Sequence, residues 1–315
     1  MATSRGALCT DDEFIDLFER YGERTSQHLN CTVRAVYARR RAVEKRIGRE
    51  LVPGISILQE RSISAKAMVP AQVDNGTVLI GSDCHYWGHV STAHVAFLEF
   101  IKRFKPRIVV LNGDVLDGGR ISRHPPIGWE GTPTVLEELR YCQARLREIE
   151  KAAKGARLVW PAGNHDLRFE SRLAQAAPEF EGIEGFHLKD HFPKWEPCWG
   201  LDINERVVIK HRFKNGIHAV HNNTIWAGRS MITGHLHSLK VSPFSDYNGT
   251  RWGVDSGTMA EPYGPQFLDY TEANPLNWRS GFVMLTFKDG KLLWPELVAV
   301  HEKGVIDFRG ELIHV

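Results

Sequence analysis

The chain has 315 residues, 42% hydrophobic and 25% charged, which is enough for one large core plus a small appended module. Its formal net charge of +2 excludes a chain that is basic or acidic throughout. The positive charge is local: the first fifty residues hold ten Lys/Arg against eight Asp/Glu, and the remainder balances at thirty of each. Five scattered cysteines without Cys-x-x-Cys spacing argue against a disulfide framework and a thiolate zinc site, and point to a reducing cytoplasm. The N-terminus lacks an apolar signal segment, and no apolar run approaches membrane-spanning length. The expectation is a cytoplasmic protein with no membrane association.

Residues 1–50 read as a small all-α module. Thr10 and Glu13 have capping-box spacing, Phe14, Leu17, Phe18 and Tyr21 recur at helical period, and Gly22 can end the helix. A shorter helix is expected over Thr25–Leu29, with a turn at Asn30. Thr32 can cap a third helix running to about Arg49. Its apolar residues Val33, Val36, Tyr37, Val43 and Ile47 share one face, and Arg34, Arg41, Lys45 and Arg49 lie on the other. This order resembles a helix-turn-helix domain, with the third helix in the recognition position. The resemblance implies DNA as a partner through Arg34, Arg41, Lys45 and Arg49, although Asn30 stands where glycine is common. The plainer alternative is a three-helix appendage for oligomerisation or docking. Residues 51–76 show no clear period and read as a linker and lead-in.

From Thr77 onward, strand-like and helix-like stretches alternate. Thr77–Gly81 is an apolar strand leading to Asp83 and His85, which alternation along a strand would direct to one side. A helix follows over Ser91–Phe104, then the strand Arg107–Leu111 leading into Asn112-Gly-Asp-Val-Leu-Asp117. Thr132 and Pro133 read as the start of the next helix, and Gly155 as lying just past its end. Arg157–Trp160 is a strand that runs into Gly163-Asn-His-Asp166, and Arg206–Lys210 is one that ends at His211. Ser230–Thr233 leads into Gly234-His-Leu-His237. Five apolar stretches are thus each followed by Asp, Asn or His, and in α/β folds ligands gather beyond the carboxyl ends of strands. Oxygen and imidazole donors without thiolates suit one or two divalent transition ions.

The order and spacing of Asp83-x-His85, Gly113-Asp-x-x-Asp117, Gly163-Asn-His-Asp166, His211 and Gly234-His-x-His237 resemble the calcineurin-like metallophosphoesterases. The resemblance covers roughly residues 77–260. It implies a four-layer αββα sandwich over residues 77–315, with a dinuclear metal site on top. Asp83, His85 and His237 would hold one metal, Asn164, His211 and His235 the second, and Asp114 would bridge them. Manganese is the first expectation, with iron, zinc, nickel or cobalt as alternatives. His165 would be the general acid, and Asp117 would orient it by accepting a hydrogen bond from its ring.

The fourth block departs from the family pattern, because Arg212 rather than Gly follows His211. His218 and His221 therefore remain alternatives as ligands or substrate contacts. Arg120 and Arg168 flank the second and third blocks and could grip a phosphate or lie on the surface. Phe186, Phe192, Trp195 and Trp199, in a long insertion, could stack on a base or form a small core. The loop through His124–Trp129 is a second candidate for substrate selection. Cys84 is expected to point into the core. Trp252–Gly257 resembles the strand and turn that follow the last block, and Asp289-Gly290 would turn a hairpin completing the second sheet.

The expected function is a dinuclear phosphoester hydrolase acting on nucleic acid, as a nuclease or end-processing enzyme. Ser82-Asp-Cys-His85 with Gly-Asn-His-Asp resembles the repair-nuclease branch. The alternative is a phosphatase or phosphodiesterase for nucleotides, other small phosphoesters or phosphoproteins, and a non-catalytic DNA-binding regulator is disfavoured. A helix-turn-helix fused to this domain also resembles bacteriophage phosphoesterases, which would place the protein in a host cytoplasm. Substrate identity and oligomeric state are not legible in the sequence.

Overall fold

The computed structural model describes residues 9–51, 67–125, 131–264, 267, 271–272 and 274–315. The chain divides into two compact units, Met1–Ser64 and Ala65–Val315.

In the first unit, α1 (Asp11–Tyr21) is closed by a reciprocal cap. Thr10 Oγ1 accepts from the Glu13 amide at 3.2 Å, and Glu13 accepts from the Thr10 amide at 2.7 Å. Gly22 caps the helix at φ 54°, and a 3₁₀ turn over Gly22–Arg24 leads into α2 (Thr25–His28), a single turn. Thr32 caps α3 (Val33–Ile47), and Gly48 ends it in a left-handed conformation. Phe14 and Phe18 stack at 5.9 Å and pack with Val36, Val43 and Leu51 into a separate small core. Two residues of the expected apolar face lie outside that core: Val33 is 43% exposed and Ile47 38%. Both sit at the ends of α3, which at 15 residues is longer than the 11-residue α1.

The second unit runs β1 (Val69–Ala71), β2 (Gly76–Gly81), α4 (Thr92–Phe104), β3 (Ile108–Leu111), α5 (Val135–Ala152), β4 (Arg157–Pro161) and α6 (Leu167–Ala176). It continues with β5 (Glu196–Cys198), β6 (Leu201–Ile203), β7 (Val207–Ile209), α7 (Ala219–Ala227), β8 (Ser230–Thr233), β9 (Lys240–Asp246) and β10 (Gly249–Asp255). It closes with β11 (Gly281–Lys288), β12 (Lys291–Leu292), β13 (Glu296–Glu302), β14 (Val305–Phe308) and β15 (Glu311–His314). One sheet has the order β15-β14-β13-β11-β2-β3-β4-β5, with β12 paired to β11, and the other β1-β6-β7-β8-β10-β9. β2, β3 and β4 are parallel, as are β7, β8 and β10, so these six strands, which precede the donor-bearing turns and one small-residue turn, end on the same side of their sheets.

Alternation along the strands sorts the core. Val78, Ile80, Ile108, Val110 and Val159 join Leu201, Ile209, Ile232 and Val254 of the other sheet in one cluster. Leu79, Val109 and Leu111 point the opposite way, against Phe97, Phe100 and Ile101 of α4 and Leu146 and Ile149 of α5. α7 covers the far face of the second sheet, where Gly253 of β10 lies so close that a Cβ would meet Val220 O at 2.1 Å. The result is the αββα sandwich.

Four sequence expectations are adjusted. Of the lead-in over 51–76, residues 52–66 lie outside the described residues, while β1 is part of the second unit because it pairs in parallel with β6. The cap of α5 is Thr134, not Thr132: Thr134 and Glu137 form the reciprocal box that Thr132 has no Glu to complete. The hairpin turns at Asp289 (φ 50°) and Gly290 (φ 72°) as expected. However, β11 pairs antiparallel with β2 and so belongs to the first sheet, not the second. Of the loop through His124–Trp129, residues 126–130 lie outside the described residues.

Phe282 of β11 is fully buried, with Phe97 and Phe100 edge-on at 5.1 and 5.2 Å. Phe282→Ala is expected to cost about 3–5 kcal/mol, read as a lower urea midpoint at unchanged slope.

Candidate metal centre

β2 ends at Gly81, so Asp83 and His85 do not converge through the strand pleat. They converge because both occupy the left-handed region, at φ 51° and 42°, which folds the chain over the sheet edge. Backbone bonds hold this turn to the next one: Asp83 N donates to Gly113 O at 2.9 Å, His85 N to Asp114 O at 3.1 Å, and Tyr86 N to Val115 O at 3.0 Å. Asp114, His235 and His237 are also left-handed, at φ 49°, 71° and 54°. Such residues are strained by about 1–3 kcal/mol each and persist only where their surroundings over-determine them.

Asp166 supplies much of that determination, and its role was not recognised from sequence although it stands in the Gly-Asn-His-Asp block. One carboxylate oxygen accepts from the amides of Val115 and Leu116 at 2.9 and 3.2 Å. The other accepts from the amides of Asp114 and Gly163 and the Trp160 indole, each at 2.9 Å. The turns after β3 and β4 are thereby tied to one buried group. Gly163 is required where they touch, since a Cβ there would lie 2.1 Å from Asp114 Oδ1. Gly234 is required for the same reason: its Cβ would meet Ser82 Oγ at 2.0 Å and Asp83 Oδ2 at 2.5 Å.

These turns bring together Asp83, His85 and His237 as one group of donors, and Asp114, His211 and His235 as another. In each group the donor atoms lie within 4.8 Å of one another. His237 Nε2 is 3.0 Å from Asp83 Oδ1, and His211 Nε2 is 3.2 Å from Asp114 Oδ2. His85 Nε2, His211 Nε2 and Asn164 Oδ1 are buried without a hydrogen-bond partner. The opposite ring nitrogens are committed: His211 Nδ1 donates to Asn112 O at 2.7 Å, and His85 Nδ1 to Asp117 Oδ1 at 3.1 Å. Both Nε2 lone pairs are thus free to take a cation, the arrangement typical of metal-ligating histidines.

Charge makes the same demand. Asp83 and Asp114 are buried at 0% and 2% exposure. Burial lowers the His211 pKa, but Asp114 and Asp83 outweigh it and raise the group to about 10. Two carboxylates buried this close together draw positive charge, and the oxygen and imidazole donors around them fit divalent transition ions.

The other candidate residues fall as follows. His165 is half-buried beside the centre, and its Nδ1 donates to the backbone O of Asp117 at 2.7 Å. The Asp117 carboxylate is 3.5 Å from that nitrogen and 3.1 Å from His85 Nδ1, so it faces both rings, and its main chain holds His165 as well. Arg168 donates to Asp117 O at 2.8 Å, and its guanidinium lies 3.2 Å from His165 Nε2, which places it at the centre. Arg120 is exposed on a 3₁₀ turn, Gly119–Ile121, with no contact to the donor groups among the described residues. His218 and His221 are exposed at the start of α7 and belong to neither group, whereas His211 is buried within one. In the first unit Arg34, Arg41 and Lys45 are exposed, and Arg49 pairs with Glu19 at 2.7 Å. Cys84 is buried against Met259.

Three further contributors carried no sequence signal. Glu138 of α5 accepts from the amides of Asp117 and Gly118 at 2.6 and 2.7 Å. Phe267 lies edge-on to His85 at 5.1 Å, and Trp278 to His237 at 4.3 Å. These two rings, 5.1 Å apart, wall the first donor group. They come from the residues between β10 and β11, where no sequence periodicity marks them.

Asp117→Ala is expected to weaken metal binding on the order of 10–100-fold, measured by titration calorimetry. A role confined to His165 would leave metal affinity where it was.

The profile of the calcineurin-like phosphoesterases matches residues 76–252. No curated protein matches the chain. Among solved structures it is similar to Vps29 of Entamoeba histolytica complexed with zinc, at 14% identity and TM-score 0.41, covering 76% of this chain and 98% of that one. It is also similar to an archaeal phosphodiesterase, at 14% identity and TM-score 0.38, covering 70% and 99%. A third is YfcE, a phosphoesterase from E. coli, at 12% identity and TM-score 0.34, covering 70% and 97%. With the family profile running from β2 into β10 and covering every donor-bearing turn, the chain belongs to the calcineurin-like phosphoesterases and is a metal-dependent phosphoesterase.

Proposed function

We propose that this phosphoesterase uses two divalent ions, manganese first, to cleave phosphoesters in nucleic acid. Asp83, His85 and His237 hold one ion, Asn164, His211 and His235 the other, and Asp114 lies between them. The observation that carries the two-ion reading is the set of buried, partnerless donor atoms His85 Nε2, His211 Nε2 and Asn164 Oδ1. A bound pair of ions supplies an activated water at neutral pH and neutralises charge on the phosphate.

The chain's own groups do the rest. His165, with Nδ1 anchored on Asp117 O, presents Nε2 toward the centre and hands a proton to the leaving oxygen. Arg168 presents its guanidinium next to that nitrogen and grips a phosphate oxygen. Phe267 and Trp278 keep water from the first donor group. No protein nucleophile is required.

Nucleic acid is favoured by the division of cations on α3. Arg40 and Arg46 are paired with Glu44 and Asp11, at 2.6 and 2.9 Å, and just past the helix Arg49 is paired with Glu19. Arg34, Arg41 and Lys45 have no ion-pair partner among the described residues and are exposed, free to meet phosphates in the manner of a recognition helix. The competing reading, a small-phosphoester hydrolase whose N-terminal helices hold a second copy, is favoured by the exposed Val33 and Ile47.

Purified protein stripped by chelator is expected to lose hydrolysis of bis-p-nitrophenyl phosphate and of DNA, and to recover both with Mn²⁺. Protein inactive on both with every divalent ion would refute the catalytic reading. Replacing Arg34, Arg41 and Lys45 together by Gln is expected to weaken DNA binding and to flatten its dependence on log salt by about 3. An unchanged slope would shift the module to the oligomerisation reading.

A further inference from the structure

Beside Asn164, on the side of the second donor group, the surface opens into a cleft of ≈ 460 Å³. That volume lies within the range of about 300–1,000 Å³ usual for small-molecule sites. The first donor group is walled by Phe267 and Trp278, and the cleft is an open approach to the centre from the side of the second. Its lining differs in character from the centre it adjoins. Trp199, Phe213, Lys210 and Arg212 contribute, together with Asn215, and no carboxylate lines it among the described residues.

Both cations are unspent. Neither Lys210 nor Arg212 has an ion-pair partner among the described residues, although ion pairs are frequent elsewhere in this unit, as in Arg157–Glu196 at 2.7 Å and Arg229–Asp202 at 2.7 Å. Arg212 follows directly on His211, so its position is tied to the second donor group. Of the four aromatics in the long insertion, Phe192 and Trp195 are buried in the core, and Phe186 stacks on Phe180 at 5.7 Å. Trp199 alone of these lines the cleft, half-buried and without an aromatic partner among the described residues. A flat ring and two unpaired cations, set next to a centre that binds one phosphate, match a ligand with a planar base and a second phosphate.

We propose that this cleft seats the nucleoside on one side of the scissile phosphate, with Trp199 against the base and Arg212 and Lys210 on the next phosphate along the strand. The proposal rests on the nucleic-acid reading of the centre and assigns that reading a location. It makes the enzyme selective for a nucleotide that bears a further phosphate over a simple ester.

The test is calorimetric binding of thymidine 3′,5′-bisphosphate and thymidine 5′-monophosphate to the full chain, with Ca²⁺ replacing the activating ion so that neither ligand turns over. The bisphosphate is expected to bind on the order of tenfold more tightly, the effect of one charge-assisted contact. Arg212→Gln, an exposed position where the fold is not at stake, is expected to remove most of that ratio. Trp199→Leu is expected to weaken both ligands by a similar factor, since both carry the base. A wild-type ratio near one, or a ratio that survives Arg212→Gln, overturns the proposal. DNA cleavage with Mn²⁺ is scored separately: cleavage without the ratio sinks the cleft and keeps the nucleic-acid reading, and the ratio without cleavage does the reverse.

Discussion

The centre depends on the Asp166 carboxylate more than on any one ligand. Five N–H groups converge on its two oxygens: the amides of Asp114, Val115, Leu116 and Gly163 from two turns, and the Trp160 indole from β4. A buried acid is costly, and burial, with the Asp114 charge adding, raises its pKa, while the donors pull it back. Deleting the acceptor would orphan buried amides at about 1–3 kcal/mol each. The same bonds set where Asp114 and Asn164 point, so Asp166 converts two flexible turns into one rigid frame.

That frame has to contain strain. Five candidate ligands, Asp83, His85, Asp114, His235 and His237, are left-handed non-glycine residues. Four are held from behind through their amides: Asp83 donates to Gly113 O, His85 to Asp114 O, Asp114 to the Asp166 carboxylate, and His235 to the Asp83 carboxylate at 3.0 Å. Beneath them lie sheet strands packed on both faces, which resist deformation because protein interiors are close-packed. Strain at the strand ends is therefore spent on geometry, with all five donors turned inward over the sheet edge.

The first unit and the centre handle charge in opposite ways. On α3, most guanidinium groups meet nearby carboxylates near the surface, where such pairs contribute little, and a minority stay free. In the centre, buried carboxylates face imidazoles, of which His85 and His211 hold Nε2 buried without a hydrogen-bond partner. The cleft completes the pattern, with cations that no carboxylate in its lining neutralises.

Much of this was legible in the sequence because short-range rules dictate it. Capping residues placed α1 and α3, Asp289-Gly290 placed a hairpin, and apolar runs ending in Asp, Asn or His marked the strands and the donors after them. The tertiary structure alone decided how those pieces meet. It put β11 beside β2, set the Asp117 carboxylate between His85 and His165, and kept His211 in the centre while leaving His218 and His221 on the surface. It also walled one donor group with Phe267 and Trp278 and opened the other onto Trp199 and Arg212. The physical reason is separation along the chain. Propensity and alternation act over a few residues, whereas the partner of a carboxylate 32 or 48 positions from its histidines is set only once the sheets have packed.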